Sequence, residues 1–149
     1  MSMNKALLRD FEEFTQKLDR DVLLNKSIFI TGATGLIGSF IARALCYANK
    51  KLSLGMTLYA LVRDENKAAD VLDEAADGVN IVKGDISAPL DFNFPIDYII
   101  HCAAITNSKQ MVTHPALTIK TSVDGTTNIL ELAREKQVSG MVYLSSMEV

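Results

Sequence analysis

The feature of this sequence that most restricts its fold is a short β-favouring run that leads through three glycines into a helix. The run Ser27–Ile30 ends at Thr31, and Gly32, Gly35 and Gly38 follow with the spacing G-x-x-G-x-x-G. Apolar residues then recur with a helical period and predict one helix face, made of Leu36, Ile37, Phe40, Ile41, Ala44 and Leu45. A strand, a glycine turn and an amphipathic helix in this order are typical of a phosphate-binding α/β unit.

Each glycine of this turn has a predicted role in binding a dinucleotide. Gly32 permits the tight turn, Gly35 lets the backbone approach a pyrophosphate, and Gly38 lets the helix pack closely on the strand. Free amides at the start of the helix, aided by its dipole, would bind the anion. The alternative is a plain strand–helix turn that uses glycine for its positive φ. The predicted dinucleotide-binding residues of this turn are Gly32, Thr34, Gly35, Leu36, Ile37 and Gly38.

Strand-like and helix-like segments alternate along the rest of the chain. Further strands are predicted at 57–62, 79–83, 97–103 and 140–144, with a polar helix at 65–76. Two more helices are marked by apolar spacing, a short one near the start by Leu7, Phe11, Phe14 and Leu18, and a long one by Ile119, Val123, Thr126, Leu130 and Ala133.

This alternation predicts an α/β fold, namely a Rossmann-type, doubly wound parallel sheet of about five strands with right-handed crossovers. Residues 26–149 would form this domain, and residues 1–25 would form a helical extension.

Composition and charge narrow the class of protein. Of the 149 residues, 48% are apolar and 22% are charged, as in a globular domain rather than a disordered chain. A net charge of −3 and the lack of a long basic run argue against a nucleic-acid partner. The stretch 27–48 is too interrupted to span a membrane, and the first residues do not resemble a signal peptide.

The two cysteines argue against a protein held together by disulfides or by a metal ion. Cys46 and Cys102 form no C-x-x-C pair, which excludes a disulfide scaffold or a cysteine-rich zinc module. Cys102 and its neighbour His101 should point to opposite faces of their strand, which argues against a shared metal ion. No metal is expected. A content of only two cysteines is consistent with the reducing cytoplasm.

Four further segments bear on function. They are Lys83–Ile86 (KGDI), His101–Ala104 (HCAA), Ser122–Thr126 (SVDGT) and Tyr143–Val149 (YLSSMEV). With TGATGLIG at 31–38, their order is that of the extended short-chain dehydrogenase/reductases, the group that contains the NAD-dependent nucleotide-sugar epimerases and dehydratases. The sequence resembles this family from about residue 27 to residue 149.

The resemblance implies the cofactor contacts outside the glycine turn. The G-D-[ILV] segment would contact the adenine, and the H-x-A-A segment would lie along the cofactor. At Ser122 the sequence departs from the family, which usually has Asn there. The implied contacts are Asp85, Ile86, Cys102, Ala103, Ala104, Ser122 and Ser145.

The resemblance also implies a catalytic serine. Ser146 would hydrogen-bond the reacting substrate oxygen, beside a tyrosine and a lysine of a Y-x-x-x-K pair that follows the serine by a few dozen residues. The sequence ends three residues after Ser146, so we expect a truncated chain that is inactive by itself. Its one Y-x-x-x-K, Tyr47 and Lys51, begins about nine residues, or roughly 14 Å of helix, beyond Gly38 and receives no catalytic role.

The roles of the charged residues after the second and third predicted strands have alternative interpretations. Asp85 would contact adenine or merely cap the turn that follows it. At the end of the second predicted strand, Arg63 would grip the 2′-phosphate of NADP, whereas a shifted register would let Asp64 bind the ribose of NAD. In a third interpretation Asp64 caps the next helix and Arg63 is solvated. The cofactor is therefore NAD or NADP, with Arg63 slightly favouring NADP.

The implied chemistry is oxidation of a sugar hydroxyl by hydride transfer to the nicotinamide. Epimerases return the hydride to the other face, and dehydratases eliminate water from the keto intermediate. Our first hypothesis is the NAD(P)-binding part of a nucleotide-sugar epimerase or dehydratase. The alternatives are an NADP-dependent reductase of the same superfamily and a non-catalytic dinucleotide-binding sensor. The resemblance further implies a nucleotide-sugar substrate and a homodimer formed through long helices.

Overall fold

A five-stranded parallel sheet forms the centre of the computed structural model, which describes residues 5–105 and 108–145. The strands are β1 (Ser27–Thr31), β2 (Thr57–Val62), β3 (Asn80–Lys83), β4 (Tyr98–His101) and β5 (Gly140–Tyr143). Their order is β3-β2-β1-β4-β5, and all neighbours are parallel. The predicted Rossmann-type α/β fold is confirmed.

Helices cover both faces of this sheet. They are α1 (Lys5–Lys17), α2 (Arg20–Leu23), α3 (Leu36–Leu52), α4 (Glu65–Leu72), α5 (Ser108–Thr113) and α6 (Pro115–Lys136), with a 3₁₀ segment at Asp73–Gly78. On β1, Ile28 and Ile30 join a core with α3 and α4, whereas Phe29 joins a second core with α6. Successive side chains of a strand point to opposite faces, so the sheet is doubly wound. None of the described helices is long and apolar enough to cross a membrane.

The direction of the strand order reverses between β1 and β4. From β1 the chain proceeds to β2 and β3 on one side, and from β4 it proceeds to β5 on the other. Thr31 and His101 pair in register, so the two strands end side by side. Open α/β sheets bind ligands at such a reversal, outside the carboxyl ends of the strands.

Observed element boundaries differ from the predicted ones mainly at carboxyl ends. The strand predicted at 97–103 ends at His101, and the residues after it leave the sheet. The helix predicted at 65–76 is α-helical only to Leu72, because Asp73 adopts a left-handed φ of +51° and the chain continues as a 3₁₀ segment. The second strand has the predicted bounds, 57–62.

The prediction that one apolar face of α3 is buried is wrong for the first two residues of that face. Ala44 and Leu45 are buried as expected, but Leu36 is 90% exposed and Ile37 is 55% exposed. These two residues begin the helix at the edge of an open cleft, and they line that cleft instead of the core.

The inward face of α6 also differs from the predicted one. It consists of Gly125, Ile129 and Leu132, whereas Ile119, Val123 and Leu130 are more than half exposed. A Cβ built on Gly125 would lie 2.6 Å from Cδ1 of Ile86, so the helix makes its closest approach through a residue without a side chain. A pattern of large apolar residues cannot reveal such a contact.

The first helix packs on α3. Phe11 is buried, and its ring centroid lies 5.3 Å from that of Phe40 and 5.8 Å from that of Tyr47. Lys51 Nζ donates to Glu12 Oε1 at 3.2 Å, and the Tyr47 hydroxyl donates to the same oxygen at 3.4 Å. This Y-x-x-x-K pair therefore joins two helices, and neither residue lines the cleft.

Candidate functional site

An open cleft of about 910 Å³ lies where β1, β2 and β4 end. Its volume is at the upper end of the usual range for ligand sites, roughly 300–1,000 Å³, and admits an extended ligand. It brings together twelve residues that the sequence predicts: Gly32, Thr34, Gly35, Leu36, Ile37, Gly38, Arg63, Asp85, Ile86, Cys102, Ala103 and Ala104. Residues that were not predicted as cofactor contacts also line it: Leu61, Val62, Lys67, Gly84, Ser87, Ile105, Leu117, Thr121 and Leu144.

The glycine turn is built by close backbone contacts. Gly32 has a φ of +69°, and a Cβ there would lie 2.7 Å from the backbone nitrogen of Ala103. A Cβ on Gly38 would overlap the carbonyl oxygen of Gly32. These two positions exclude side chains because the protein itself fills the space, so α3 and the segment after β4 both pack against the turn.

The remaining glycine of the turn, Gly35, is open on its side-chain face. A Cβ there would meet only the carbonyl oxygen of Gly32, at 3.2 Å. Gly35 is the N-cap of α3, and no side chain caps the first turn of the helix. The first amides of a helix lack partners inside the helix, so this end suits an anion that approaches the backbone closely.

The segment after β4 is held by a buried hydroxyl. The Ala103 backbone N–H donates to Thr31 Oγ1 at 3.2 Å, and Thr31 Oγ1 lies 2.6 Å from His101 Nδ1. Burial lowers the pKa of His101. Burial also raises the pKa of the Cys102 thiol, which favours the protonated form and disfavours a nucleophilic role.

Asp85 lies at the other end of the cleft and caps a turn. Its Oδ1 accepts hydrogen bonds from the Ser87 backbone N–H at 2.9 Å and from the Ser87 hydroxyl at 2.8 Å. The backbone hydrogen bond is the main cause that lowers the pKa of Asp85, and the charge of Arg63 adds to it against the opposing effect of burial. The next residue, Ile86, is fixed from α6, because Asn128 Nδ2 donates to its carbonyl oxygen at 2.7 Å.

The charged residues after β2 have separate roles. Asp64 caps α4, since its Oδ1 accepts from the backbone N–H groups of Asn66 at 3.0 Å and Lys67 at 3.1 Å. Arg63 and Lys67 both line the cleft. Sequence reasoning missed Lys67, although a lysine four residues after Arg63, in the first turn of the predicted helix, was a usable signal.

Of the three predicted serines, the two that the structure describes do not line the cleft. The Ser122 hydroxyl donates to the Thr118 carbonyl within α6 at 3.0 Å, and Ser122 does not line the cleft. Ser145 is exposed beyond β5, where its neighbour Leu144 reaches the cleft. Ser146 lies outside the described residues. Within residues 5–105 and 108–145, no three His, Cys, Asp or Glu side chains cluster as a metal ion would require.

Comparison with protein families decides the affiliation. Residues 28–149 match the model of the NAD dependent epimerase/dehydratase family. The chain belongs to this family. The extended short-chain dehydrogenase/reductase resemblance of the glycine turn and the four later segments is thereby confirmed.

Two relatives of this epimerase/dehydratase-family chain are named as enzymes of UDP-glucose and dTDP-glucose. UDP-glucose 4-epimerase of Vibrio cholerae is 27% identical over 134 residues, 87% of this chain and 37% of the relative. dTDP-glucose 4,6-dehydratase of Streptomyces antibioticus is 31% identical over 128 residues, 83% of this chain and 38% of the relative. The chain thus spans well under half the length of these relatives.

A solved structure shares the fold of this family member. UDP-glucose-4-epimerase from Stenotrophomonas maltophila, determined with bound NAD and formylated UDP-arabinopyranose, has a TM-score of 0.67 and 21% identity. The likeness covers 83% of this chain and 38% of that chain.

Proposed function

We propose that residues 26–149 are the NAD(P)-binding domain of a nucleotide-sugar epimerase or dehydratase, with residues 1–25 as a helical extension. The observation that carries the proposal is the β1–α3 turn, in which Gly32 and Gly38 are filled by backbone while Gly35 is open to the cleft. A dinucleotide pyrophosphate needs such a close approach to uncapped helix amides. Bound there, the cofactor would accept and return a hydride.

Different segments that line the cleft are proposed to contact different parts of the cofactor. The adenine would lie by Asp85 and Ile86, and the segment Cys102–Ala104 would run along the cofactor toward the end of β5. Two hydrogen bonds support this division, because the Ser87 N–H donates to the Asp85 carboxylate and Asn128 Nδ2 donates to the Ile86 carbonyl oxygen. The proposed substrate is a nucleotide sugar, as in the named relatives, and Ser146 would hydrogen-bond its reacting oxygen. Ser122 and Ser145 are proposed as cofactor contacts only through the family motif.

Cellular location and assembly are also part of the proposal. The free thiols of Cys46 and Cys102 support a reducing cytoplasm. The exposed apolar residues Ile119, Val123 and Leu130 on α6 support a homodimer that pairs long helices.

NADP is the proposed cofactor rather than NAD. Asp64 is engaged in capping α4, which leaves Arg63 and Lys67 as the charged side chains after β2 that line the cleft. We therefore expect Arg63→Ala to weaken NADP binding by about 1–3 kcal/mol, the scale of a hydrogen bond to a charged group, and to affect NAD less. Isothermal titration calorimetry with both dinucleotides measures the difference.

The matched control for this variant is Lys83→Ala. Lys83 ends the neighbouring strand, is exposed and does not line the cleft. Its loss changes the net charge equally and removes only an exposed ion pair with Glu65, at 4.0 Å, and no contact with the cleft. Equal losses in the two variants would indicate a general charge effect. Tighter binding of NAD than of NADP by the unaltered chain would contradict the proposed preference.

Turnover separates the candidate functions. We expect the 149-residue chain to bind dinucleotide but not to convert nucleotide sugars, because no Tyr–Lys pair accompanies Ser146 and general acid–base catalysis typically contributes about 10²–10⁴-fold. In a longer protein that joins these residues to the family Y-x-x-x-K, conversion is expected, and Ser146→Ala should lower kcat by about 10²-fold.

The assay combines nicotinamide absorbance with chromatography of the sugar products. An epimerase or dehydratase returns the hydride and leaves no net absorbance change, whereas a reductase, the second candidate favoured by Arg63 and Lys67, oxidises one reduced dinucleotide per product. Rapid conversion by the 149-residue chain would show that the catalytic residues are misassigned. A longer protein that binds dinucleotide but converts no sugar would favour the non-catalytic sensor.

A further inference from the structure

His101 is a buried ionisable side chain to which the proposed function assigns no role. It is 1% exposed and ends β4 beside Thr31, its partner in register on β1. Its Nδ1 lies 2.6 Å from Thr31 Oγ1, and the Ala103 backbone N–H donates to that same oxygen at 3.2 Å. On the other edge of the ring, Nε2 lies 3.5 Å from Thr126 Oγ1 on α6.

These contacts assign the proton of the imidazole. Thr31 is fully buried, so its hydroxyl proton needs an acceptor, and Nδ1 lies at hydrogen-bond distance. The Thr31 hydroxyl therefore accepts from Ala103 and donates to Nδ1. A ring nitrogen that accepts a hydrogen bond carries no proton, so the proton of the neutral ring is on Nε2, toward Thr126.

The groups that face the ring are uncharged. They are the hydroxyls of Thr31 from β1 and Thr126 from α6, and the ring of Tyr143 from β5, whose centroid lies 5.5 Å from that of His101. No carboxylate of the described residues forms an ion pair with the ring. Burial without a compensating anion favours the neutral form and lowers the pKa of His101.

The buried contacts lie directly behind the cleft. Thr31 immediately precedes the glycine turn, and Ala103 belongs to the segment that borders the cleft after β4. A Cβ on Gly32 would lie 2.7 Å from Ala103 N and 2.8 Å from the Cys102 carbonyl oxygen, so the two cofactor-facing segments touch at this point. Two hydrogen bonds join the segments at this point, from the Cys102 N–H to the Thr31 carbonyl oxygen and from the Ala103 N–H to Thr31 Oγ1, both at 3.2 Å. The acceptor of the second, Thr31 Oγ1, also contacts His101.

We propose that His101, as the neutral Nε2–H tautomer, is a positioning residue for dinucleotide binding that holds the Cys102–Ala104 segment against the glycine turn. This inference rests on the proposed dinucleotide site. Protonation of Nδ1 would convert an acceptor into a donor, and the Thr31 hydroxyl proton would lose its partner. The Thr31 oxygen would then receive two donors, and the Ala103 contact would weaken.

The sign of the pH dependence follows from this arrangement. Because burial lowers the pKa of His101 from its ordinary 6.5, the neutral ring and the full affinity are present above pH 6.5. As the pH falls through the lowered pKa, dinucleotide affinity decreases, by at most about tenfold per pH unit for one proton. Stability falls in the same direction, because the unfolded chain binds this proton more readily.

His101→Asn tests the proposal, since an asparagine oxygen can accept the Thr31 hydroxyl and does not titrate. Kd for NADP is measured by calorimetry from about pH 5 to about pH 8. The 2′-phosphate titrates near pH 6, equally in every variant, so the ratio of Kd values is compared. We expect Kd of the unaltered chain relative to His101→Asn to rise as the pH falls below about 6.5.

The second histidine supplies the matched control. His114 is exposed and does not line the cleft, and His114→Asn should follow the unaltered chain at every pH. A Kd ratio for His101→Asn that stays constant with pH would overturn the proposal. Thr31→Val should raise Kd about tenfold, and Thr31→Ser, which keeps the hydroxyl, should restore it.

Ring nitrogen chemical shifts of the labelled, ligand-free chain provide a readout that does not depend on binding. An Nε2–H tautomer of His101 near pH 7 supports the proposal, and an Nδ1–H or doubly protonated ring overturns it while leaving the dinucleotide site intact. If the unaltered chain binds neither NADP nor NAD, the proposed function is contradicted, and this inference with it.

Discussion

Gly35→Val is expected to abolish dinucleotide binding while leaving the sheet folded. Gly35 has a φ of −86°, which any residue adopts, and a Cβ there would meet only one protein atom, at 3.2 Å. The valine methyls would therefore extend into the cleft, where they occupy the space through which a pyrophosphate reaches the helix amides. Calorimetric titration with NADP measures the loss, and urea unfolding measures the retained stability.

Gly140→Ala is the matched control for this result. A Cβ on Gly140 would make an ordinary contact of 3.5 Å with the Tyr98 ring, and the residue does not line the cleft. Both affinity and stability should remain near those of the unaltered chain. Unchanged NADP affinity in Gly35→Val would show that the turn does not bind the phosphates.

Gly38→Ala, in contrast to Gly35→Val, is expected to destabilise the fold, with a free energy of unfolding lowered by about 3 kcal/mol. The added methyl would overlap the Gly32 carbonyl oxygen and lie 2.8 Å from its carbonyl carbon and 3.2 Å from Ala33 Cα. All three are backbone atoms of the turn, which cannot rotate away as a side chain would. The helix must therefore move off β1, and urea denaturation monitored by circular dichroism measures the cost.

The two glycine variants test different physical statements. Gly35 is a position where the ligand needs space, and Gly38 is a position where the protein has already used it. Stability of Gly38→Ala within about 0.5 kcal/mol of the unaltered chain would mean that α3 and the turn adjust easily. The described packing of the helix on the strand would then be wrong.

Much of the fold was predictable because its signals are local. The run of six residues at 57–62 and the glycine spacing after Thr31 each lie within a few residues of chain. Right-handed crossovers then leave few ways to order parallel strands. The rotation of each helix was less predictable. On α6 the helix packs inward through Gly125, and Ile119 and Val123 are exposed. On α3 the spacing of Leu36 suggested a core position, but Leu36 lies beside the open cleft and is exposed.

The candidate site was predictable where a motif carries its own geometry and unpredictable where the partners are distant in sequence. Thr31 and His101 are 70 residues apart, and Asn128 reaches an Ile86 carbonyl 42 residues away. The choice between Arg63 and Asp64 required knowing that one carboxylate oxygen already accepts two amides. No spacing rule encodes that a hydrogen-bonding group is already occupied.

The two edge strands of the sheet, β3 and β5, differ in their charge and polarity. At one margin β3 presents Asn80 and an exposed Lys83, the type of polar, charged edge that resists pairing with another strand. At the other margin β5 is uncharged and mostly apolar, with Val142 and Tyr143 more than half exposed. Within the described residues β5 bonds only to β4, so an incoming strand finds a receptive template there. A strand that pairs with this sheet is therefore expected to join it beside β5 and not beside β3.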